Sequence, residues 1–381
     1  MAEALRICFF GTYVIDEGYP VNQVLLNGLG VAGAEVFECR ETLWRGFLHE
    51  AFAGGGVGTL LALALRATVV YARLVWRYLW VGSHQVVVVG YPGYFDIILA
   101  RLLNLFRRRL LVLVSFISLY DTIVLDRGQA KEKSWKAQLL YQIDRWAFRC
   151  ADMVLVDTWE VAEYFSRVFS LPPEKFHRSM VGNVFDRFEP AAPPGRPPLR
   201  VLFFGTYVPL HGIEHIVAAA DLLREEDFDF TLVGRGQLYA SVQEEAERLQ
   251  LKRVHFIDDW MNTEALVERM HKADICLGIF GTTPKAGRVI PYKVFGSLAL
   301  RRPVVTRDSP AAREMFVDGE SALLCEAGSG AALAAALRRL RDEKGLAEKV
   351  AEAGYARYRE CGSASAIGRD LLRELVVRCG R

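Results

Sequence analysis

Six residues recur in this chain: Phe9-Phe10-Gly11-Thr12-Tyr13-Val14 returns as Phe203-Phe204-Gly205-Thr206-Tyr207-Val208. Each copy closes an apolar run, residues 5–10 and 199–204, of the length of one buried strand. Each run breaks at a glycine and gives way, after a turn, to a helical pattern. That order is the opening βα unit of a doubly wound sheet, where glycine lets a ligand approach the backbone at the strand's carboxyl end. Two such openings in one chain predict two similar Rossmann-like α/β domains facing one another.

Length agrees with that count, since 381 residues exceed one ordinary core and fit two. A content of 52% hydrophobic and 24% charged residues marks a folded chain, not a disordered one. The net charge of +2 argues against nucleic acid as a partner. That average hides a local excess: residues 44–110 hold eight arginines, no lysine, and only Glu50 and Asp96 as acids. Seven cysteines form no CxxC pair, and Cys8 and Cys276 stand in strand-like runs. A reducing, cytoplasmic setting without disulfides is therefore expected. The first strand begins almost at Met1, so no signal peptide is expected. The longest uncharged apolar stretch, 51–65, is too short to span a bilayer.

Strand and helix patterns then alternate. Runs at 86–90, 110–114 and 153–156 read as strands, and 95–106 and 135–150 as helices. Residues 189–198 hold five prolines and one glycine, which suits a linker and neither a helix nor a central strand. The second half restarts with strands at 200–204, 228–233, 254–257, 275–279 and 304–306. Helices at 213–225, 238–249, 263–271 and 293–300 separate them. Strict alternation implies a parallel sheet with helices on both faces. The tail from 331 to 378 reads as helical, with breaks at Gly345, Gly354 and Gly362. The expected domains are 1–188 and 199–362 about a linker at 189–198, with a closing helix at 363–381 that packs back on the first domain.

Several motifs carry chemistry only on paper. Gly28-x-Gly30-x-x-Gly33 matches the dinucleotide fingerprint but closes a helix instead of following a strand, so its glycines read as a cap. Gly234-Arg235-Gly236 follows a strand, but Ala240 removes the next glycine. Asp227-Phe228-Asp229 precedes its strand, where no metal-diphosphate would sit. His211 and His215, four apart, lack a third ligand, so no metal site is expected.

The segment from Gly205 to Glu214 says more. A strand, a glycine turn and a helix starting at Gly212 together leave unpaired N–H groups that attract an anion. One helix end contributes only ~0.3–1 kcal/mol, so a diphosphate needs cations as well. Lys285, Arg288 and Lys293 follow the strand at 275–279 and open on the same edge as Gly205.

These residues carry a family resemblance. Phe204-Gly-Thr-Tyr-Val-Pro-Leu-His-Gly-Ile-Glu214, Leu232-Val-Gly-Arg-Gly236, Ala273-Asp-Ile-Cys-Leu-Gly-Ile-Phe-Gly281, Arg302-Pro-Val-Val-Thr306 and Arg313-Glu-Met-Phe-Val-Asp-Gly319 resemble glycosyltransferase family 4. Val114–Thr122 and Ala151–Thr158 resemble a bacterial branch of it that builds cell-surface glycans. The resemblance implies a GT-B fold, two Rossmann-like domains with a cleft, retention of anomeric configuration, and no metal or other cofactor. The chain departs from the family at four places. Neither the family arginine nor the family lysine stands near Thr206 and His211, and the family's glutamate pair falls on Arg288 and Gly296. The second glutamate binds ribose in the family; Gly296 supplies no carboxylate.

The expectation is a sugar transferase taking a nucleotide-sugar donor and a hydroxyl acceptor, a glycan or a lipid-linked one. Its donor would meet Gly205, Thr206, His211, Gly212, Lys285, Arg288, Lys293 and Glu314, with Gly11 and Thr12 bordering the cleft and Asp121 on the acceptor side. Arg66, Arg73 and Arg77 form a stripe, seven and four residues apart, on an otherwise apolar helix. That stripe suits either an anionic membrane on the cytoplasmic face or the narrow polar side of a core helix. The rival readings are a nucleotide-sugar epimerase or hydrolase on the same fold, a degenerate protein that binds without turnover, and, weaker, an NAD enzyme.

Overall fold

A computed structural model describes residues 4–15, 19–43, 57–259 and 261–380, without the side chains of 57–64. The arginine-rich segment thus lies partly outside the described residues. Two compact units emerge: residues 1–180 with 364–381, and residues 181–363.

The first unit is a six-stranded parallel sheet in the order β2-β1-β3-β4-β5-β6. Its strands are β1 Arg6–Gly11, β2 Glu35–Arg40, β3 Val86–Val89, β4 Leu110–Val114, β5 Met153–Val156 and β6 Phe176–Arg178. β3 is four valines, all fully buried, because helices cover both faces of the sheet. Burying each such side chain stabilises the fold by about 1.5–3 kcal/mol. The helices are α1 Val21–Val31, α2 Val57–Trp80, α3 Asp96–Leu103, α4 Trp135–Cys150 and α5 Trp159–Phe169. Side-chain caps start two of them, Ser134 accepting from Ala137 N at 3.2 Å and Thr158 from Val161 N at 3.1 Å.

The second unit repeats the plan in the order β12-β11-β10-β7-β8-β9. Its strands are β7 Leu199–Phe204, β8 Phe228–Val233, β9 Val254–Ile257, β10 Ile275–Leu277, β11 Val304–Arg307 and β12 Leu323–Cys325. Its helices are α6 Ile213–Leu222, α7 Tyr239–Arg248, α8 Thr263–Lys272, α9 Tyr292–Ala299, α10 Pro310–Arg313, α11 Gly330–Asp342 and α12 Leu346–Arg357. The core runs from Phe203, Ile213 and Val217 through Leu232 and Leu277 to Leu333 and Leu337. A last helix, α13 Ala364–Arg378, belongs to the first unit and packs on α1.

Three details depart from the sequence reading. The units divide at Met180, and the proline-rich 189–198 lies inside the second unit. Fully buried Arg302 donates to the Ala191 carbonyl, and Gly195 N donates to Asp274 Oδ1 at 2.6 Å. Gly28 does not cap α1: it lies within the helix, and a Cβ there would run into Ala364 of α13, so its smallness lets two helices touch. Gly354 does not break the tail but sits inside α12, 2.8 Å from Leu298 once a Cβ is added. Only Gly345, at φ 77°, and Gly362 mark breaks.

Candidate functional site

In the second unit β7 lies between β10 and β8, so the loops after these strands meet at one carboxyl edge. They pack glycine against backbone. A Cβ on Gly236 would stand 2.5 Å from the Tyr207 oxygen, and one on Gly281 2.5 Å from the Leu210 oxygen. Hydrogen bonds seal the cluster: Tyr207 N to Arg235 O at 2.8 Å and Phe280 N to His211 O at 3.0 Å. Gly212 adopts φ 61°, and a Cβ on it would meet the Phe280 carbonyl carbon at 2.6 Å. Gly212→Ala is therefore expected to cost the second unit about 2 kcal/mol or more, through left-handed strain and backbone contact together. A thermal melt with an unchanged midpoint would show that the loop yields instead.

Two helices begin at this edge, α6 after Gly212 and α9 after Pro291, and neither has a side-chain cap. Their first-turn N–H groups and dipoles favour an anion there. Lys293, the second residue of α9, decides the chemistry. It is 2% exposed, and its Nζ hydrogen-bonds to nothing among the described residues. The ammonium position lies 3.9 Å from the Phe203 ring centroid and 2.7 Å from where a Gly205 Cβ would be. Burial without an acceptor drives its pKa far down. Gly205, at φ 143°, thus leaves the space that brings the amine to the turn.

His211 lies in the same cluster, buried edge-on to Phe203, with Nδ1 donating to the Thr206 carbonyl. Lys285 is buried in a short turn, and Arg288 half-buried behind it. Glu314 follows α10 on the loop beyond β11, half-buried on the same edge. The structure therefore gathers Gly205, Thr206, His211, Gly212, Lys285, Arg288, Lys293 and Glu314 at one strand edge. It adds Arg307, the last residue of β11, whose Nη1 donates to the Gly281 carbonyl. Sequence reading stopped that strand one residue early. The basic residue directly after the apolar run was the available signal. Gly296 is packed shut, because a Cβ there would lie 3.0 Å from both Asn183 Nδ2 and Phe185 Cε2. A glutamate would not fit without moving that ring.

In the first unit Gly11 and Thr12 stand at the carboxyl end of β1. Thr12, 1% exposed, does not offer its hydroxyl outward, because Asp96 engages it. Thr12 N and Oγ1 donate to Asp96 Oδ2 at 2.6 and 3.0 Å, and the Tyr71 hydroxyl donates to Oδ1 at 2.8 Å. Burial outweighs these donors and pushes Asp96 up to about 6. A Cβ on Gly11 would touch Asp96 Oδ2 at 2.5 Å, which explains the glycine. Asp121 is buried in a π-helical turn beyond β4, next to Asp144. Arg66, Arg73 and Arg77 are exposed on one side of α2, while Val70, Leu74 and Tyr78 are buried on another. Arg66 donates to the Thr42 carbonyl and Arg77 pairs with Glu41 at 3.2 Å.

Residues 198–343 match the family model for glycosyl transferases group 1. Anabaena HepE, solved with UDP, superposes with a TM-score of 0.67 over 98% of this chain and 100% of its own, at 13% identity. Sucrose-phosphate synthase from Thermosynechococcus elongatus does so at 0.70, over 98% and 100%, at 17% identity. The fold is GT-B. Alpha-D-kanosaminyltransferase of Streptomyces kanamyceticus is 26% identical over 222 residues, 55% of this chain and 56% of that relative. The match therefore spans little more than half of that curated relative. Among the described residues no helix is long and apolar enough to cross a membrane.

Proposed function

We propose that this chain is a retaining glycosyltransferase that moves a sugar from a nucleotide-sugar donor to a hydroxyl acceptor, a glycan or a lipid-linked one. The observation that carries the reading is Lys293, a buried amine without an acceptor at a glycine turn between two uncapped helix starts. A diphosphate supplies what that arrangement lacks. The group 1 match covers this half of the chain, and a curated relative is named as a sugar transferase. HepE has been solved with UDP-glucose, so uridine donors are the first to test.

Transfer requires stabilising the charge that builds on the departing diphosphate. Lys293 and Arg307, with the first-turn amides of α6 and α9, are fixed in place before the ligand arrives, so little reorganisation is needed. These cations take the part that a metal ion plays elsewhere, and the enzyme is proposed to work without one. In a retaining reaction the departing phosphate oxygen accepts the proton of the attacking hydroxyl, so no protein base is compulsory. Asp121 is proposed to orient the acceptor. A cytoplasmic setting, where activated sugars are made, completes the reading.

Arg288→Ala and Arg307→Ala should each weaken nucleoside-diphosphate binding roughly tenfold, within the range of one charged hydrogen bond. Binding of the bare nucleoside should stay near its starting value. Titration calorimetry with both ligands checks this, and equal losses for the two would refute a phosphate role. The second reading, binding without turnover, is favoured by Phe185 packing against Gly296, where family members carry a ribose ligand. Donor consumption measured with and without a broad acceptor panel separates transfer, hydrolysis and simple binding.

A further inference from the structure

The outer side of α2 carries large apolar residues that the fold leaves uncovered. Trp76, Leu79 and Trp80, in its last two turns, are 63%, 58% and 74% exposed, and the two indoles lie 5.7 Å apart. The turn after α3 does the same with Leu105 and a fully exposed Phe106. Tyr78 joins the two places: its hydroxyl donates to Asn104 Oδ1 at 2.8 Å and accepts from Arg109 Nη1 at 2.7 Å. Tyr71, two turns earlier on α2, reaches Asp96 at the start of α3, so the helices run side by side in one direction. Both apolar tips therefore stand at the amino edge of the first unit's sheet, where α2 leads into β3 and α3 into β4.

The charge around these tips is predominantly positive. Arg73, Arg107 and Arg108 are exposed and form no ion pair among the described residues. Of the neighbouring acids, Glu41 pairs with Arg77 and Asp152 with Arg101, while Glu38, beside Trp76 and Trp80, accepts from the Tyr13 hydroxyl at 2.7 Å. Exposed tryptophans and a phenylalanine rimmed by unneutralised arginines match a surface that is apolar beneath and negative at its face. We infer that the first unit docks on an anionic lipid bilayer through the end of α2 and the α3–β4 turn. Docking there leaves the opposite, carboxyl edge of the sheet, with Gly11 and Asp121, clear for chemistry. The inference is independent of what that edge binds.

Flotation of the full chain with vesicles tests it, using phosphatidylcholine alone and an equal mixture with phosphatidylglycerol at low salt. The chain should float with the mixed vesicles and remain behind with the neutral ones. An R73Q/R107Q/R108Q variant should bind the mixed vesicles roughly a hundredfold more weakly, from about fivefold per arginine at such a surface. W76S/W80S/F106S should lose flotation while keeping the wild-type circular dichroism. Brominated acyl chains should quench the wild-type tryptophan fluorescence, a readout that needs no variant. The inference falls if the wild type does not float at low salt, if no quenching occurs, or if folded variants float like the wild type. It falls equally if sedimentation shows a wild-type dimer that W76S/W80S/F106S turns into a monomer, because the patch would then bind a second copy.

Discussion

Replacing Lys293 with methionine is expected to raise the melting temperature of the ligand-free protein and to weaken nucleoside-diphosphate binding together. The two effects share one cause. An amine buried without an acceptor costs the fold part of its solvation, and methionine fills a similar volume without that demand. The gain should be about 1–3 kcal/mol. A bound diphosphate gives the amine its counter-charge, so the variant should lose a charged hydrogen bond of about 1.5–3 kcal/mol, roughly 10- to 150-fold in affinity. The pH dependence follows in sign. The folded pKa lies below the unfolded one, so the unfolded chain binds more protons and wild-type stability rises as pH climbs towards the ordinary lysine range. The methionine variant should lack that slope. Diphosphate binding should also draw a proton onto the wild-type amine, visible as a calorimetric heat that changes with buffer. A variant that melts lower and binds as before would remove Lys293 from the site.

The elements that the sequence announces are those whose pattern is local. β4, β5, β8, β9 and α4 begin and end where their apolar runs do. Three strands escaped. β2 mixes polar and apolar residues, Glu-Val-Phe-Glu-Cys-Arg, because it is an edge strand, and β6 and β12 are three residues each. Their place comes from neighbours far along the chain, not from their own composition. The site divides the same way. The glycine turn at Gly205 and the basic loop after β10 are contiguous in sequence and could be read. The isolation of Lys293 depends on Phe203, ninety residues earlier, lying under its amine. The closure of Gly296 depends on Phe185, and no periodicity reveals that. Asp96 shows the limit most clearly, since as the first acid of a helix it invites a solvated reading.

Asp96→Ala is expected to lower first-unit stability by about 3 kcal/mol or more, because Thr12 N, Thr12 Oγ1 and the Tyr71 hydroxyl would all lose the carboxylate to which they donate. In a unit of this size that corresponds to a fall of roughly 6–12 °C. Asp96→Asn should cost less, since a neutral side chain of the same shape still accepts one of these bonds. The comparison between wild type and Asp96→Asn also carries a pH signature. With the carboxyl pushed up to about 6 against an unfolded value near 4, the folded chain holds the proton more tightly, so stability falls as pH rises through that window and levels off above it. Asp96→Asn should therefore be penalised more at pH 5 than at pH 8. Asp144, pushed up to about 7 by burial despite bonds from Ser118, Leu119 and Tyr120, adds a slope of the same sign. Each asparagine should remove its own share of that falling slope, and the double variant should remove both. Melts of the four proteins across pH 4–8 measure this directly. A wild type that instead gains stability over that range relative to Asp96→Asn would mean that the three donors outweigh burial and hold the carboxylate ionised.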